Sequence, residues 1–140
     1  MLQLLHEKVI HFNGSILGFE EYDEFIFSFA EEDSPYAYLQ SLKDDNIGFL
    51  LVIPFVFYSD YAFEVDDKDK AALGIVSEEE VAAFTIVTIR EPFTKSSTNL
   101  LAPIVVNTTS GQARQVVLPP RSNYSTNEPL FKDAHEESGD

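Results

Sequence analysis

The stretch T-N-L-L-A-P-I-V-V-N, from Thr98 to Asn107, gives the clearest indication of how this chain folds. It is a short apolar run, rich in β-branched residues and broken only by Pro103, which is typical of a buried strand rather than a helix. Proline cannot donate a hydrogen bond to a neighbouring strand, so we expect Pro103 at the strand's first residue or at a bulge. The stretch offers packing and no acid, base or metal ligand, which points to a protein that binds rather than catalyses.

Outward from this stretch, further segments are apolar throughout or alternate apolar with polar residues, as β-strands do. Residues 47–53 are apolar at nearly every position, which predicts a central strand buried on both faces. Gly111 is expected to close a hairpin, and Pro119-Pro120 to end the sheet. The predicted strands are residues 9–12, 25–30, 36–42, 47–53, 60–65, 81–90, 104–107 and 112–118.

Two short helices complete the predicted elements. Pro54 suits the first turn of a helix, and residues 66–73 favour a second one, which Asp66 or Asp67 can cap and Gly74 can end. Seven or eight short strands with one or two short helices predict a mostly β protein. We expect a single domain whose antiparallel sheet curls into a small barrel or a sandwich.

Length and composition agree with one domain. The chain has 140 residues, of which 44% are hydrophobic, so it can form a real core. We expect the folded domain to cover residues 1–130, and residues 131–140 to form a flexible acidic tail. The absence of cysteine excludes disulfides and thiolate metal sites, and no signal peptide or membrane-spanning run is visible. A cytoplasmic location is the prediction.

The formal net charge of −15 limits the possible partners. A surface this negative repels phosphate backbones and anionic membranes, which argues against direct binding of nucleic acid or a membrane. A basic protein partner is favoured, although solubility alone would explain many of these charges equally well.

Candidate chemistry is sparse. His6, His11 and His135 lie far apart with no ligand-spaced neighbour, and residues 66–70 resemble a calcium loop that lacks its glycine and closing glutamate. No phosphate loop, nucleophile elbow or zinc-binding helix motif occurs. We therefore predict no enzymatic activity, no catalytic residues, no metal and no cofactor.

An aromatic cluster beside acidic residues is the strongest candidate for a site. Its rings are Phe55, Phe57, Tyr58, Tyr61 and Phe63, with Asp60, Glu64 and Asp66 among them. Ordinary core and rim packing would explain the cluster; the alternative is an exposed recognition patch for a basic, partly apolar partner. The predicted contact residues are Asp60, Tyr61, Phe63 and Glu64, with Asn123 and Tyr124 as second choices.

Six motifs in this order resemble the FliW family of flagellar assembly factors. They are I-H-F-N-G-S-I-L-G-F-E (10–20), S-P-Y-A-Y-L-Q-S-L (34–42), P-F-V-F-Y-S-D-Y-A-F (54–63), T-N-L-L-A-P-I-V-V-N (98–107), R-Q-V-V-L (114–118) and N-Y-S-T-N-E-P-L (123–130). Each motif is weak alone, and six in the same order are specific.

The resemblance implies a small, β-barrel-like cytosolic protein that is not an enzyme. It implies two competing partners, newly made flagellin and the RNA-binding translational repressor CsrA. CsrA would be antagonised allosterically, away from its RNA surface, so that flagellin level controls flagellin translation. A chaperone for flagellin alone, or a small barrel that binds a small ligand, are the alternatives.

Overall fold

A computed structural model describes residues 5–131, which contain nine β-strands and two short α-helices. The strands are β1 (Val9–His11), β2 (Glu24–Phe29), β3 (Tyr36–Ser41), β4 (Gly48–Val52), β5 (Val81–Thr88), β6 (Ser97–Thr98), β7 (Ile104–Asn107), β8 (Ala113–Gln115) and β9 (Glu128–Pro129). The helices are α1 (Pro54–Phe57) and α2 (Asp67–Leu73), and single turns of 3-10 helix span Glu78–Glu80, Phe93–Lys95 and Pro120–Ser122.

The strands form one curled antiparallel sheet. β1 to β5 pair in chain order; β5 then pairs with β7 through its first half and with β6 through its second, while β8 pairs with β7 and β9 with β6. The two ends of the curl approach each other at an isolated bridge between His11 of β1 and Gln112, which precedes β8, and in residues 5–131 β1 and β8 form no ladder. The sheet is therefore barrel-like but not closed. This confirms the predicted fold class, with nine strands in place of seven or eight.

Side-chain alternation places one face of the sheet in the main core. Phe25 and Phe27 of β2 are fully buried, as are Ala37 of β3 and Phe84 of β5. The rings of Phe27 and Phe84 lie 5.0 Å apart across the interior. Truncating a buried phenylalanine to alanine costs about 3–5 kcal/mol, so Phe27→Ala would remove a large part of the stability of a domain this size.

A smaller apolar cluster covers part of the opposite face. Val52 and Val87 are buried there beneath Leu130, which follows β9. The Tyr58 hydroxyl donates a hydrogen bond to the Pro129 carbonyl and ties this segment to the end of α1. Because the cluster reaches only the second half of β4, the prediction that residues 47–53 are buried on both faces was wrong: Gly48 at its start is exposed.

The segment after Pro119-Pro120 also departs from the prediction that the sheet ends there. β9 pairs with β6 through Ser97 opposite Pro129 and Thr98 opposite Glu128. The Leu130 N–H then donates to the Ser96 carbonyl at 3.2 Å. The predicted flexible tail lies outside the described residues from position 132 onward.

The stretch from Thr98 to Asn107 contains the end of β6, a turn and all of β7. Asn99 holds the turn, because its Oδ1 accepts a hydrogen bond from the Ala102 N–H at 3.0 Å. Pro103 directly precedes β7, close to its expected place at the start of a strand. All four residues of β7 are buried, as the apolar pattern predicts.

Both helices begin where the sequence predicts, and α2 also ends there. Pro54 is the first residue of α1, Asp66 caps α2 by accepting from the Asp69 N–H, and Gly74 ends α2 in the left-handed region at φ 66°. Neither helix in residues 5–131 is both long and apolar enough to cross a membrane. Both serve to redirect the chain between β4 and β5.

Two predicted strands are different in the structure. Residues 60–65 form no strand. The Tyr61 side chain turns into the core, and the Tyr124 hydroxyl hydrogen-bonds to both the N–H and the carbonyl of Ala62. The strand predicted over residues 112–118 is shortened to β8, since the Val116 and Leu118 N–H groups donate to the Pro103 and Leu101 carbonyls of the preceding loop.

Candidate functional site

An open groove with a volume of about 880 Å³ lies between the segment that follows α1 and the start of β5. One wall is the irregular segment 61–66, which continues into the first residues of α2. The other wall is residues 75–78 together with the first half of β5. The groove is lined by Phe55, Tyr61, Ala62, Phe63, Glu64, Val65, Asp66, Asp67, Lys70, Ile75, Val76, Ser77, Glu78, Val81 and Ala83.

Tyr61 anchors the first wall. Its ring is 4% exposed, and its hydroxyl donates a hydrogen bond to the Leu100 carbonyl at 2.7 Å. The ring centroid lies 5.7 Å from that of Phe55, 5.5 Å from Phe63 and 4.7 Å from Tyr124. Burial raises the pKa of Tyr61 well above its usual value, with the nearby Tyr124 as a second cause. Tyr61 is thus a neutral, fixed support at neutral pH.

Tyr124 fastens the same segment from behind. Its hydroxyl accepts a hydrogen bond from the Ala62 N–H and donates one to the Ala62 carbonyl, each at 3.2 Å. A side chain thereby satisfies backbone groups that a neighbouring strand would otherwise pair. The neighbouring Asn123 is exposed and adopts φ 63° at the end of a 3-10 turn, where asparagine is one of the few favourable residues.

The rim of the groove is acidic. Glu64, Asp66, Asp67 and Glu78 supply four carboxylates, and Lys70 is the one cation among the described residues that line it. All five of these side chains are exposed. An apolar floor within a rim of carboxylates suits a ligand that is basic and partly apolar.

Helix α2 is held in position by two polar contacts. The Asp69 carboxylate, 13% exposed, pairs with the Arg114 guanidinium of β8 at 3.1 Å. Burial raises the pKa of Asp69, and the Asp66 charge adds to the rise, while Arg114 opposes it. At the other end of α2, the Asn107 amide donates to the Leu73 carbonyl at 2.9 Å. The acidic end of the first wall therefore depends on β7 and β8.

The structure brings the sequence-predicted contact residues together on one side of the molecule. Tyr61, Phe63 and Glu64 line the groove, Asp60 is exposed beside them, and Tyr124 packs against Tyr61. Tyr61 lies beneath the surface, so it supports the groove and offers a partner little area of its own. Phe63 is half-buried, which leaves part of its ring accessible.

Sequence reasoning missed the second wall. Val76 is 91% exposed, and with Ile75, Val81 and Ala83 it supplies four of the nine apolar residues that line the groove. A valine beside the acidic run 78–80 is all that the local sequence shows of this wall, because the wall forms only when β5 packs beside the segment 61–66.

The remaining titratable candidates within residues 5–131 have structural roles, and His135 lies outside the described residues. The His11 imidazole lies 3.4 Å from the Glu24 carboxylate, and His6 Nδ1 accepts from the Phe29 N–H. Asp66 caps α2 rather than starting a calcium loop. In residues 5–131, no group of three or more histidines and carboxylates is arranged to hold a metal ion. What the groove offers chemically is a contact surface with fixed charge.

Comparisons of the sequence and of the structure with known proteins agree with one another. A family model described as FliW protein matches residues 1–130. The flagellar assembly factor FliW of Bacillus subtilis (strain 168) is 40% identical over 129 residues, which cover 92% of this chain and 90% of the relative. The same factor from Bacillus licheniformis is 39% identical over 132 residues, covering 94% and 92%. A crystal structure of a flagellar assembly factor FliW superimposes with a TM-score of 0.81 at 35% identity, over 90% of this chain and 88% of that one.

Proposed function

The chain belongs to the FliW family of flagellar assembly factors, and we propose that it binds newly made flagellin and the translational repressor CsrA in the cytoplasm. Binding is mutually exclusive in this proposal. When flagellin is scarce, the free protein binds CsrA and relieves repression of flagellin translation. Accumulated flagellin reclaims the protein and restores repression.

The observation that carries the proposal is the groove beside Tyr61, with its apolar floor and four carboxylates. CsrA must bind anionic RNA, so it carries positive charge, and the carboxylates attract it over a distance without having to contact its RNA-binding surface. Exposed ion pairs contribute only about 0.2–1 kcal/mol each, so the affinity has to come mainly from apolar contacts. The accessible part of Phe63 and the exposed side chain of Val76 can provide them.

Antagonism of CsrA is proposed to be allosteric. A protein with a net charge of −15 that approached the RNA-binding surface of CsrA directly would compete with RNA for the same cations. Binding beside that surface would instead change the shape of CsrA and lower its affinity for RNA. The effect would be reciprocal, so bound RNA would lower the affinity of CsrA for this protein by the same factor.

The interior of the fold argues against the small-ligand alternative. Large side chains fill the space that the sheet encloses in the described residues; the fully buried ones are Leu5, Phe12, Phe25, Phe27, Phe84, Ile10, Ile16, Leu39, Leu51 and Ile104. The groove lies outside this core, where a protein can reach it. The proposal therefore assigns no catalytic role and no cofactor.

Calorimetric titration with purified flagellin and with purified CsrA tests the proposal. We expect the protein to bind each partner, and a saturating amount of flagellin to abolish heat from CsrA. Phe63→Ser, which removes an accessible ring from the groove, should weaken both complexes about tenfold. Ile26→Ser is the matched control, since Ile26 is a half-exposed side chain on β2, outside the groove lining.

The result for CsrA distinguishes a protein that binds both partners from a chaperone for flagellin alone. Binding of flagellin with no binding of CsrA would leave the flagellin-only chaperone. Binding of neither partner by the folded protein would refute the proposal. For the allosteric step, a CsrA–RNA complex should release RNA on addition of this protein, and a ternary complex should be detectable on the way.

A further inference from the structure

The first half of β5 has one edge that no strand pairs in the described residues; α1 packs against β5, and Val81 and Ala83 line the groove. β5 pairs with β7 through Ala82 opposite Val106 and Phe84 opposite Ile104. The Thr108 N–H donates to the Glu80 carbonyl at 2.7 Å in the same register. Hydrogen-bonded pairs alternate in an antiparallel ladder, so residues 80, 82 and 84 bond towards β7. The backbone groups of Val81 and Ala83 consequently point to the other edge.

β4 does not reach that edge. It pairs with β5 through Leu51 opposite Ile86 and Val52 opposite Thr85, and the same register would place Pro54 opposite Ala83. Pro54 has no N–H and begins α1 instead, so pairing stops two residues short of Ala83. In residues 5–131, no strand takes its place along that edge.

Three backbone groups are left without a partner along this edge. The Val81 N–H donates to the Glu78 carbonyl. The Val81 carbonyl and both backbone groups of Ala83 make no hydrogen bond within residues 5–131. Both residues line the groove, and both are partly accessible.

The opposite wall has the same property. Phe63, Glu64 and Val65 belong to no helix or strand, and their backbone groups make no hydrogen bond inside the described part of the chain. Unpaired backbone on both walls of one groove is the arrangement that accepts a peptide as an added strand.

We propose that the groove binds an extended segment of a protein partner as an additional β-strand along the free edge of β5. This inference rests on the proposed function and names how the partner binds. The segment would hydrogen-bond to Ala83 and to the Val81 carbonyl, and its alternate side chains would contact the apolar floor around Phe63.

The charge of the rim selects the occupant. An entering segment passes Glu64, Asp66, Asp67 and Glu78, so lysine or arginine side chains between its apolar residues fit and acidic ones are repelled. A second copy of this chain, at a net charge of −15, is therefore disfavoured as the occupant. The occupant is a basic, partly apolar strand from a different protein.

Amide hydrogen exchange measured by NMR tests the proposal on the unaltered protein. In the free protein the Ala83 amide should exchange faster than those of Ala82 and Phe84, which bond within the β5–β7 ladder. Saturation with flagellin or CsrA should slow the Ala83 amide about tenfold or more, while the Ala82 and Phe84 amides, already protected, serve as internal controls.

A pair of variants tests the same hydrogen bond by affinity. Ala83→Pro removes the N–H at the free edge and leaves the β7 ladder bonds intact, whereas Ala83→Ser keeps the N–H. We expect Ala83→Pro to weaken binding about tenfold and Ala83→Ser less than about threefold. Circular dichroism and thermal unfolding of each variant verify the fold before the titration.

The outcomes separate this inference from the function on which it rests. Binding without slower exchange at Ala83 would overturn the added strand and leave the proposed partners standing. Equal affinity of folded Ala83→Pro and Ala83→Ser would do the same. Failure of the unaltered protein to bind flagellin and CsrA would overturn both proposals together.

Discussion

Replacing Asn107 with alanine should destabilise the protein far more than its single amide suggests. The side chain is 3% exposed and makes three good hydrogen bonds. It donates to the Leu73 carbonyl at 2.9 Å and accepts from the Thr109 and Ser110 N–H groups at 2.9 and 3.2 Å. At about 1 kcal/mol for each bond, Asn107→Ala should lower the free energy of unfolding by about 3 kcal/mol.

Urea denaturation and calorimetry measure this loss. For a chain of this length we expect the melting temperature to fall by about 10 °C. Asn99→Ala is the matched control from the same stretch, because Asn99 accepts one bond, from the Ala102 N–H at 3.0 Å. It should cost only about 1 kcal/mol.

A second readout tests whether Asn107 positions α2. Loss of its bond to Leu73 should raise amide exchange throughout α2. The exchange of β2 and β3 should be unchanged once the loss of global stability has been corrected for. Equal cost of the two asparagine substitutions, or unchanged exchange in α2, would refute the reasoning.

Three further outcomes follow from the structure. Tyr61→Phe should cost about 1 kcal/mol at pH 7, through the lost bond to Leu100. Burial raises the pKa of Tyr61, so the stabilisation that its protonated hydroxyl contributes is complete below about pH 10 and is lost as the pH rises further. The free energy of unfolding measured from pH 9 to 11 should therefore fall less steeply in Tyr61→Phe, and equal slopes would contradict this. Arg114→Ala leaves the Asp69 carboxylate unpaired and should cost about 2 kcal/mol in urea denaturation, part of which Asp69→Asn should restore in the double variant; additive costs would exclude coupling. Stopped-flow association with a basic partner should slow as salt rises from about 0.1 to 1 M, since screening shortens the reach of charge from about 10 to 3 Å; a salt-independent rate would rule out steering.

The sequence predicts those elements whose cause is local. Asp66 and Gly74 mark the ends of α2 because capping and left-handed backbone depend on single residues. β2 forms where a strand is predicted over residues 25–30, and its alternation buries Phe25 and Phe27. Both predictions are confirmed by the structure.

The missed features depend on distant parts of the chain. Residues 60–65 read as a strand, yet Tyr124, 62 residues after Ala62, satisfies the backbone there. β9 was missed because two residues carry no periodicity, and they form a strand only against β6. The groove likewise needs two walls that are separate in the sequence, so only the acidic and aromatic half of it could be predicted.

A pair of charge reversals tests most directly whether the groove is the binding surface. Glu64→Lys lies on its rim, and Glu32→Lys lies in the exposed loop between β2 and β3; both are exposed, and both change the net charge from −15 by the same amount. Calorimetric affinity for CsrA and for flagellin should fall about tenfold for Glu64→Lys and remain nearly unchanged for Glu32→Lys. Equal affinities of the two variants for both partners would contradict the assignment of binding to this groove.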